Sequence, residues 1–159
     1  MRYVCSLVTV EDMDRARRFY ERVLGQEVKH DYGEDIVFRG DFAIHLRSHF
    51  SRLIDGKPVT PGGNGFELYF EHDDLGALVD RLKENGVELV HELREQPWRQ
   101  RVVRFYDPDK NIIEVGESME HLSFRLAQEG KPIEEISRIT CMPAELVRES
   151  IQRYKDGIE

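Results

Sequence analysis

One order of elements occurs twice within the first 116 residues, and this duplication limits the fold more than any other feature of the chain. Residues 3–10 (YVCSLVTV) are rich in β-branched side chains and read as a strand. Glu11, Asp12 and Asp14 suit a helix start, and Met13, Ala16, Phe19, Tyr20, Val23 and Leu24 share one helical face as far as Gly25. Strands are expected at 27–32, 35–39 and 42–48, separated by Gly33-Glu34 and Gly40-Asp41. A turn-rich stretch at 55–65 then leads into a second pass. This has a strand at 66–71, a helix opened by Asp73-Asp74 and closed at Asn85-Gly86, and strands at 87–93, 100–106 and 111–116. The spacing also repeats: Cys5 to Gly25 is 25 − 5 = 20 positions, and Glu67 to Gly86 is 86 − 67 = 19. Two βαβββ units of an α+β protein follow, because a doubly wound parallel sheet needs a helix between successive strands.

Strand parity adds chemistry. Phe66, Leu68 and Phe70 fall on one side of their strand, for the helix to cover, and Glu67, Tyr69 and Glu71 on the other. Glu114 alternates with Ile113 and Val115, and His45 with Ile44 and Leu46. On a flat two-layer sheet the polar set faces water. On a curled sheet it lines a cavity, where converging carboxylates need a cation or protons to neutralise them.

Charge and composition remove several classes of function. With 31 acidic against 23 basic residues the net charge is −8, which disfavours nucleic acid and anionic membrane surfaces as partners. No apolar stretch approaches a membrane span, and the N-terminus runs into a strand pattern without a signal peptide, so a cytoplasmic chain is expected. Cys5 and Cys141 lie far apart and are expected as free thiols. No dinucleotide, phosphate-loop or nucleophile-elbow motif occurs.

The segment EDMDRARRFYERVLG is similar to the first helix of vicinal oxygen chelate proteins, the glyoxalase, bleomycin-resistance and dioxygenase superfamily. The segment from Glu67 to Glu117 resembles their second module nearly throughout, most specifically in the hairpin FYDPDKNIIEV. The resemblance spans about residues 1–117, with modules at about 1–50 and 65–117, and implies curled, mixed half-barrel sheets around a small-molecule cavity. It places metal ligands at His45, Glu67 and Glu114, with Cys5 at a position usually held by His or Gln. A His/Glu/Glu set suits zinc, nickel, manganese or iron, with Glu67 or Glu114 able to move a proton during catalysis. Tyr69, Trp98, Arg101 and Arg104 are the candidate substrate contacts, Trp98 and Arg101 as a lid. His30, His49, His72, His91 and His121 are expected at the surface or at strand ends.

The implied activity is that of a metal-dependent lyase, isomerase or dioxygenase acting on neighbouring oxygens. A metal-free, drug-sequestering binding protein is the alternative, and a ligand-sensing regulator a third reading. Members of the superfamily are usually homodimers, and that is expected here. Residues 118–159 change character: three helices, at 119–129, 132–140 and 143–155, resemble a helix-turn-helix unit. From residue 117 onward this tail carries 6 basic and 9 acidic residues, so it is expected to pack as a cap, with Ile133, Ile136, Ile139, Leu146, Val147 and Ile151 inward.

Overall fold

The computed structural model describes residues 1–157 and repeats one strand order in two four-stranded sheets. The first is built from β1 (Ser6–Val10), β2 (Val28–Asp31), β3 (Asp35–Phe38) and β4 (Phe42–Leu46), in the order β1-β4-β3-β2. Strand β4 runs parallel to β1 and antiparallel to β3, which sets His45 opposite Thr9 on one side and Asp35 on the other. The second sheet has the order β5-β8-β7-β6, from β5 (Glu67–Glu71), β6 (Leu89–Glu95), β7 (Arg101–Tyr106) and β8 (Ile112–Gly116). The helices are α1 (Met13–Arg18), α2 (Arg47–Leu53), α3 (Leu75–Glu84), α4 (Met119–Gln128), α5 (Ile133–Thr140) and α6 (Ala144–Asp156). None is long and apolar enough to cross a membrane among the described residues.

Two departures from the sequence reading are local. The strand expected at 42–48 ends at Leu46, and Arg47 opens α2, which the sequence does not announce because Leu46 offers no side-chain cap. The single helix expected after Asp12 is α1 followed by a π-helical turn over Phe19–Val23. Asp12 starts α1 by accepting from the Arg15 amide at 2.9 Å, and the π turn buries Phe19, Tyr20 and Val23.

The chain forms two compact units. The first takes in residues 1–68, 81–88 and 105–113. Its core stacks Phe38 on Phe42 at 4.8 Å between ring centres, with Tyr20 tilted against both at 5.5 and 5.4 Å. The turn Asp107–Asn111 is its polar anchor. Asp107 accepts from the Tyr20 hydroxyl (2.9 Å), the Asp109 amide (2.8 Å) and both nitrogens of Asn111 (2.9 and 2.8 Å). Burial, first of all, raises the Asp107 carboxyl, and these donated bonds oppose it. Asp109, also buried, accepts from the Glu11 amide (2.8 Å), Arg47 (2.9 Å) and Arg15 (3.3 Å).

The second unit takes in residues 69–80, 89–104 and those from 114 onward. Its helical tail is organised around Leu122, Leu126, Ile136, Val147 and Ile151. Leu146, expected inward, is exposed, because neighbouring Val147 takes the buried position on α6. Glu117 fastens α4 to the end of β8: its carboxylate accepts from Arg125 at 2.6 and 3.2 Å and from the Arg101 amide at 2.9 Å.

Replacing Asp109 by Ala takes from the partly buried Arg47 its buried carboxylate and leaves it the exposed Glu11. The expected loss is about 3–5 kcal/mol, read from urea unfolding, whereas Arg15→Ala, at the exposed end of the same cluster, costs at most about 1 kcal/mol.

Candidate functional site

The second unit carries a continuous polar face. Strands β7 and β8 are joined by the Asp107–Asn111 turn, and their hydrogen bonds keep one register: Asp107 N to Asn111 O at 2.9 Å, Glu117 N to Arg101 O at 3.0 Å. Each pair sums to 218, so Arg104 stands directly opposite Glu114. The two side chains form an ion pair, and Glu114 is only 6% exposed. Arg104 also reaches His91 of β6, Nη1 to Nε2 at 3.5 Å.

Gly116, two residues beyond Glu114, extends the same face. A methyl group there would lie 3.0 Å from Gln100 Nε2 and 3.2 Å from the Tyr69 hydroxyl, so Gly116 leaves room for both side chains. Two-residue periodicity puts Tyr69 of β5, Glu114 of β8 and Arg104 of β7 on one side of the sheet. Gln100, 5% exposed, donates from Nε2 to the Tyr69 hydroxyl (3.0 Å) and to the Glu117 carbonyl (2.8 Å). Its Oε1 accepts from the Trp98 indole nitrogen at 2.9 Å. The Tyr69 hydroxyl in turn donates to Glu71 at 3.0 Å. Burial, and then the charge of Glu71, push the Tyr69 hydroxyl up to about 12, so it remains a donor at neutral pH.

His45 belongs to the first unit and has a different setting. It is 6% exposed, with Nε2 2.9 Å from His49 Nδ1 and Nδ1 4.0 Å from Asp35 Oδ1. Which nitrogen carries the proton depends on the tautomer. Burial lowers its pKa, and the charges of Asp35 and Glu34 only partly counter that. His49, expected at the surface, is drawn into this cluster because α2 turns it back towards β4, and its Nδ1 is 3.4 Å from Glu34. His121 is likewise partly buried, stacked on Tyr154 at 5.0 Å, with Nδ1 3.5 Å from Asp73 and from Glu117. Glu67 lies on the exposed side of β5, and Cys5 is a partly exposed free thiol just before β1. Arg101 is exposed, and the fold uses its backbone amide.

The donor set does not fit a resident metal. Among the described residues no group of three or more His, Cys, Asp or Glu side chains is placed to hold one. The buried carboxylate of Glu114 already has its cation, the guanidinium of Arg104. His45 directs one nitrogen at a second imidazole. Gln100 and Glu117 organise the face but were not legible from parity, since both lie outside the strands whose alternation was counted. Hairpin register was the available signal for the Arg104–Glu114 pair.

Comparison with known proteins agrees with this architecture. Residues 3–120 match the Glyoxalase-like domain family, and the chain belongs to it. Its fold is that of the glyoxalase/bleomycin-resistance/dioxygenase, or vicinal oxygen chelate, superfamily. It is similar to a crystal structure of a protein of unknown function from Agrobacterium tumefaciens str. C58, with 41% identity and a TM-score of 0.68 over 74% of this chain and 94% of that one. Lactoylglutathione lyase from Agrobacterium tumefaciens shares the fold at 22% identity and a TM-score of 0.58, over 74% and 93% of the two chains. The uncharacterized protein YraH of Bacillus subtilis (strain 168) is 26% identical over 115 residues, 67% of this chain and 90% of that one.

The lowered His45 value has a definite sign in stability. An exposed imidazole titrates near 6.5, so below that pH the unfolded chain takes up a proton that folded His45 refuses. Its contribution to stability therefore falls as pH drops below about 6.5, levels off once the folded ring protonates, and is nil above. Urea midpoints at pH 7.5 and 5.5 are expected to differ less in His45→Gln than in the parent.

Proposed function

We propose that this chain binds a small organic molecule on the polar face of its second sheet and holds it with side chains alone. The observation that carries the reading is the Arg104–Glu114 pair. A buried carboxylate needs a positive partner, and here the protein supplies it internally. The face keeps what ligand binding requires of a protein: half-exposed aromatic surface at Tyr69 and Trp98, cations at Arg101 and Arg104, and a hydroxyl that stays protonated. Arg104, its charge met by Glu114, leaves this part of the face without net charge. Tyr69 stacks, and Trp98 covers. The binding and drug-sequestering branch of the superfamily is the reading this favours.

Metal-dependent lyase, isomerase or dioxygenase chemistry is the other course within the superfamily, supported by fold likeness to a lactoylglutathione lyase. Elemental analysis separates the two. Purified protein is expected to hold much less than one metal per chain, and His45→Ala and Glu114→Gln to leave that content unchanged. Binding of a panel of catechols, hydroxyacids and hemithioacetals should survive a chelator. Stoichiometric metal lost on either substitution overturns the metal-free reading.

The ion pair can be tested by itself. Arg104→Met strands Glu114 and is expected to cost about 3 kcal/mol, most of it recovered in the double variant Arg104→Met/Glu114→Met. The homodimer usual in the superfamily is proposed here too, supported by the exposed apolar side chains Tyr3, Val4 and Leu7 around β1 and Val90 and Leu93 on edge strand β6. Sedimentation at micromolar concentration should give twice the chain mass, and a monomer there removes the proposal.

A further inference from the structure

The side chain of Gln100 is fully committed. Its amide offers two N–H donors and one carbonyl acceptor group, and all are used: the hydrogens go to Tyr69 and the Glu117 carbonyl, and the oxygen accepts from Trp98. The partners also fix which way the amide faces. An indole nitrogen only donates and a backbone carbonyl only accepts, so the reversed amide would set donor against donor and acceptor against acceptor. Gln100 is 5% exposed, while Trp98 and Tyr69 are 42% and 47% exposed. One buried amide thus locks two aromatic side chains that present their rings to solvent, at the cost of leaving position 116 without a side chain.

Rigid aromatic surface that is not used in the core is what a flat ligand stacks on. At the Tyr69 hydroxyl the neighbouring charge is negative. Glu71 accepts from the Tyr69 hydroxyl, and the same carboxylate lines a cavity of about 800 Å³ that also presents Asp73, Asp74 and Glu120. Arg153, paired with Glu120 at 3.4 Å, is the one arginine in that lining. A carboxylate against Tyr69, with Arg104 already neutralised by Glu114, favours a planar cation over a planar anion.

We propose that Gln100 is a positioning residue that couples Tyr69 and Trp98 into a single contact surface for a planar, positively charged aromatic ligand. The ligand part rests on the side-chain binding reading above; the coupling part does not.

Trp98 is the only tryptophan of the chain, so its emission reports the coupling directly. Gln100→Leu removes both hydrogen-bonded legs. Gln100→Glu, ionised, keeps an acceptor for the indole but cannot donate to Tyr69. Gly116→Ala disturbs the same amide with Gln100 intact. In Gln100→Leu the Trp98 emission is expected to shift and its acrylamide quenching to rise about twofold, with circular dichroism unchanged. Tyr69→Phe should alter Trp98 quenching in the parent and have no effect in the Gln100→Leu background. Gly116→Ala should reproduce the shift should Gln100→Leu fail to fold.

For the ligand, 9-aminoacridine serves as the planar cation and 9-anthracenecarboxylate as the planar anion, both followed by quenching of Trp98. The cation is expected to bind saturably and at least about tenfold more tightly than the anion, and Gln100→Leu to weaken it about tenfold, the scale of a lost stacking geometry. Unchanged Trp98 emission and quenching in both Gln100→Leu and Gly116→Ala overturns the coupling. Emission that shifts as expected, with no saturable binding of either dye, overturns the ligand class and leaves the coupling supported. Equal or tighter binding of the anion overturns the charge preference.

Discussion

Carboxylates taken out of water dictate much of this structure, because an ionised group with so little contact with solvent must be met by a cation or by several donors. Four such groups lie close together in sequence: Asp107 is met by donors from Tyr20, Asp109 and Asn111, and Asp109, Glu114 and Glu117 are each met by arginine. Asp109 takes Arg47 and Arg15 in the first unit. In the second, Glu114 takes Arg104 and Glu117 takes Arg125. Each arginine comes from a different element, so each pair also closes a loop of chain: α1 and α2 onto a hairpin turn, β7 onto β8, and α4 onto the strand that precedes it. The same pairs decide the chemistry. A carboxylate that has spent its charge on a guanidinium is a poor candidate for a metal ligand, and the side of the sheet that carries Glu114 becomes a surface of fixed, internally compensated charge.

That constraint separates what the sequence discloses from what it hides. The duplicated order, the eight strands and the tail helices were all visible as periodicity and punctuation, since these depend on neighbours in the chain. Parity held within the edge strand β5, where Leu68 is buried, Phe70 partly buried and Glu67, Tyr69 and Glu71 exposed, but Phe66, expected on the covered side, precedes the strand and is exposed. Parity carries less on the central strands β4 and β8, where both faces are buried: Ile44 and His45 alike, and Ile113, Glu114 and Val115. The partners of the polar residues there come from other elements, Arg104 on β7 for Glu114 and His49 on α2 for His45. For Arg104 the partner could be counted through the hairpin. For Glu117 and Arg125, or His45 and His49, it could not. The first pair depends on where a helix starts after the last strand, and the second on α2, a seven-residue helix without a capping side chain.

The tail is tied to the face that carries Tyr69 and Trp98 by the same arithmetic of charge. Arg125 of α4 does more than neutralise Glu117: its Nη2 also donates to the Arg99 carbonyl at 2.8 Å. Arg99 sits between Trp98 and Gln100 with φ at +71°, a left-handed conformation that a side chain disfavours and that surrounding contacts must hold. Its guanidinium is held as well, by Glu95 at 2.5 Å and Glu129 at 3.5 Å. The helical extension therefore braces, from behind, the loop that aims the indole and the amide. This accounts for its acidic balance better than a nucleic-acid surface does. Glu117 and Glu129 are spent on arginines of the brace, and the exposed side of α6 mixes Glu145 and Glu149 with Arg148 rather than concentrating positive charge. A segment that resembles a recognition module by spacing is, by its contacts, part of the scaffold that positions Trp98.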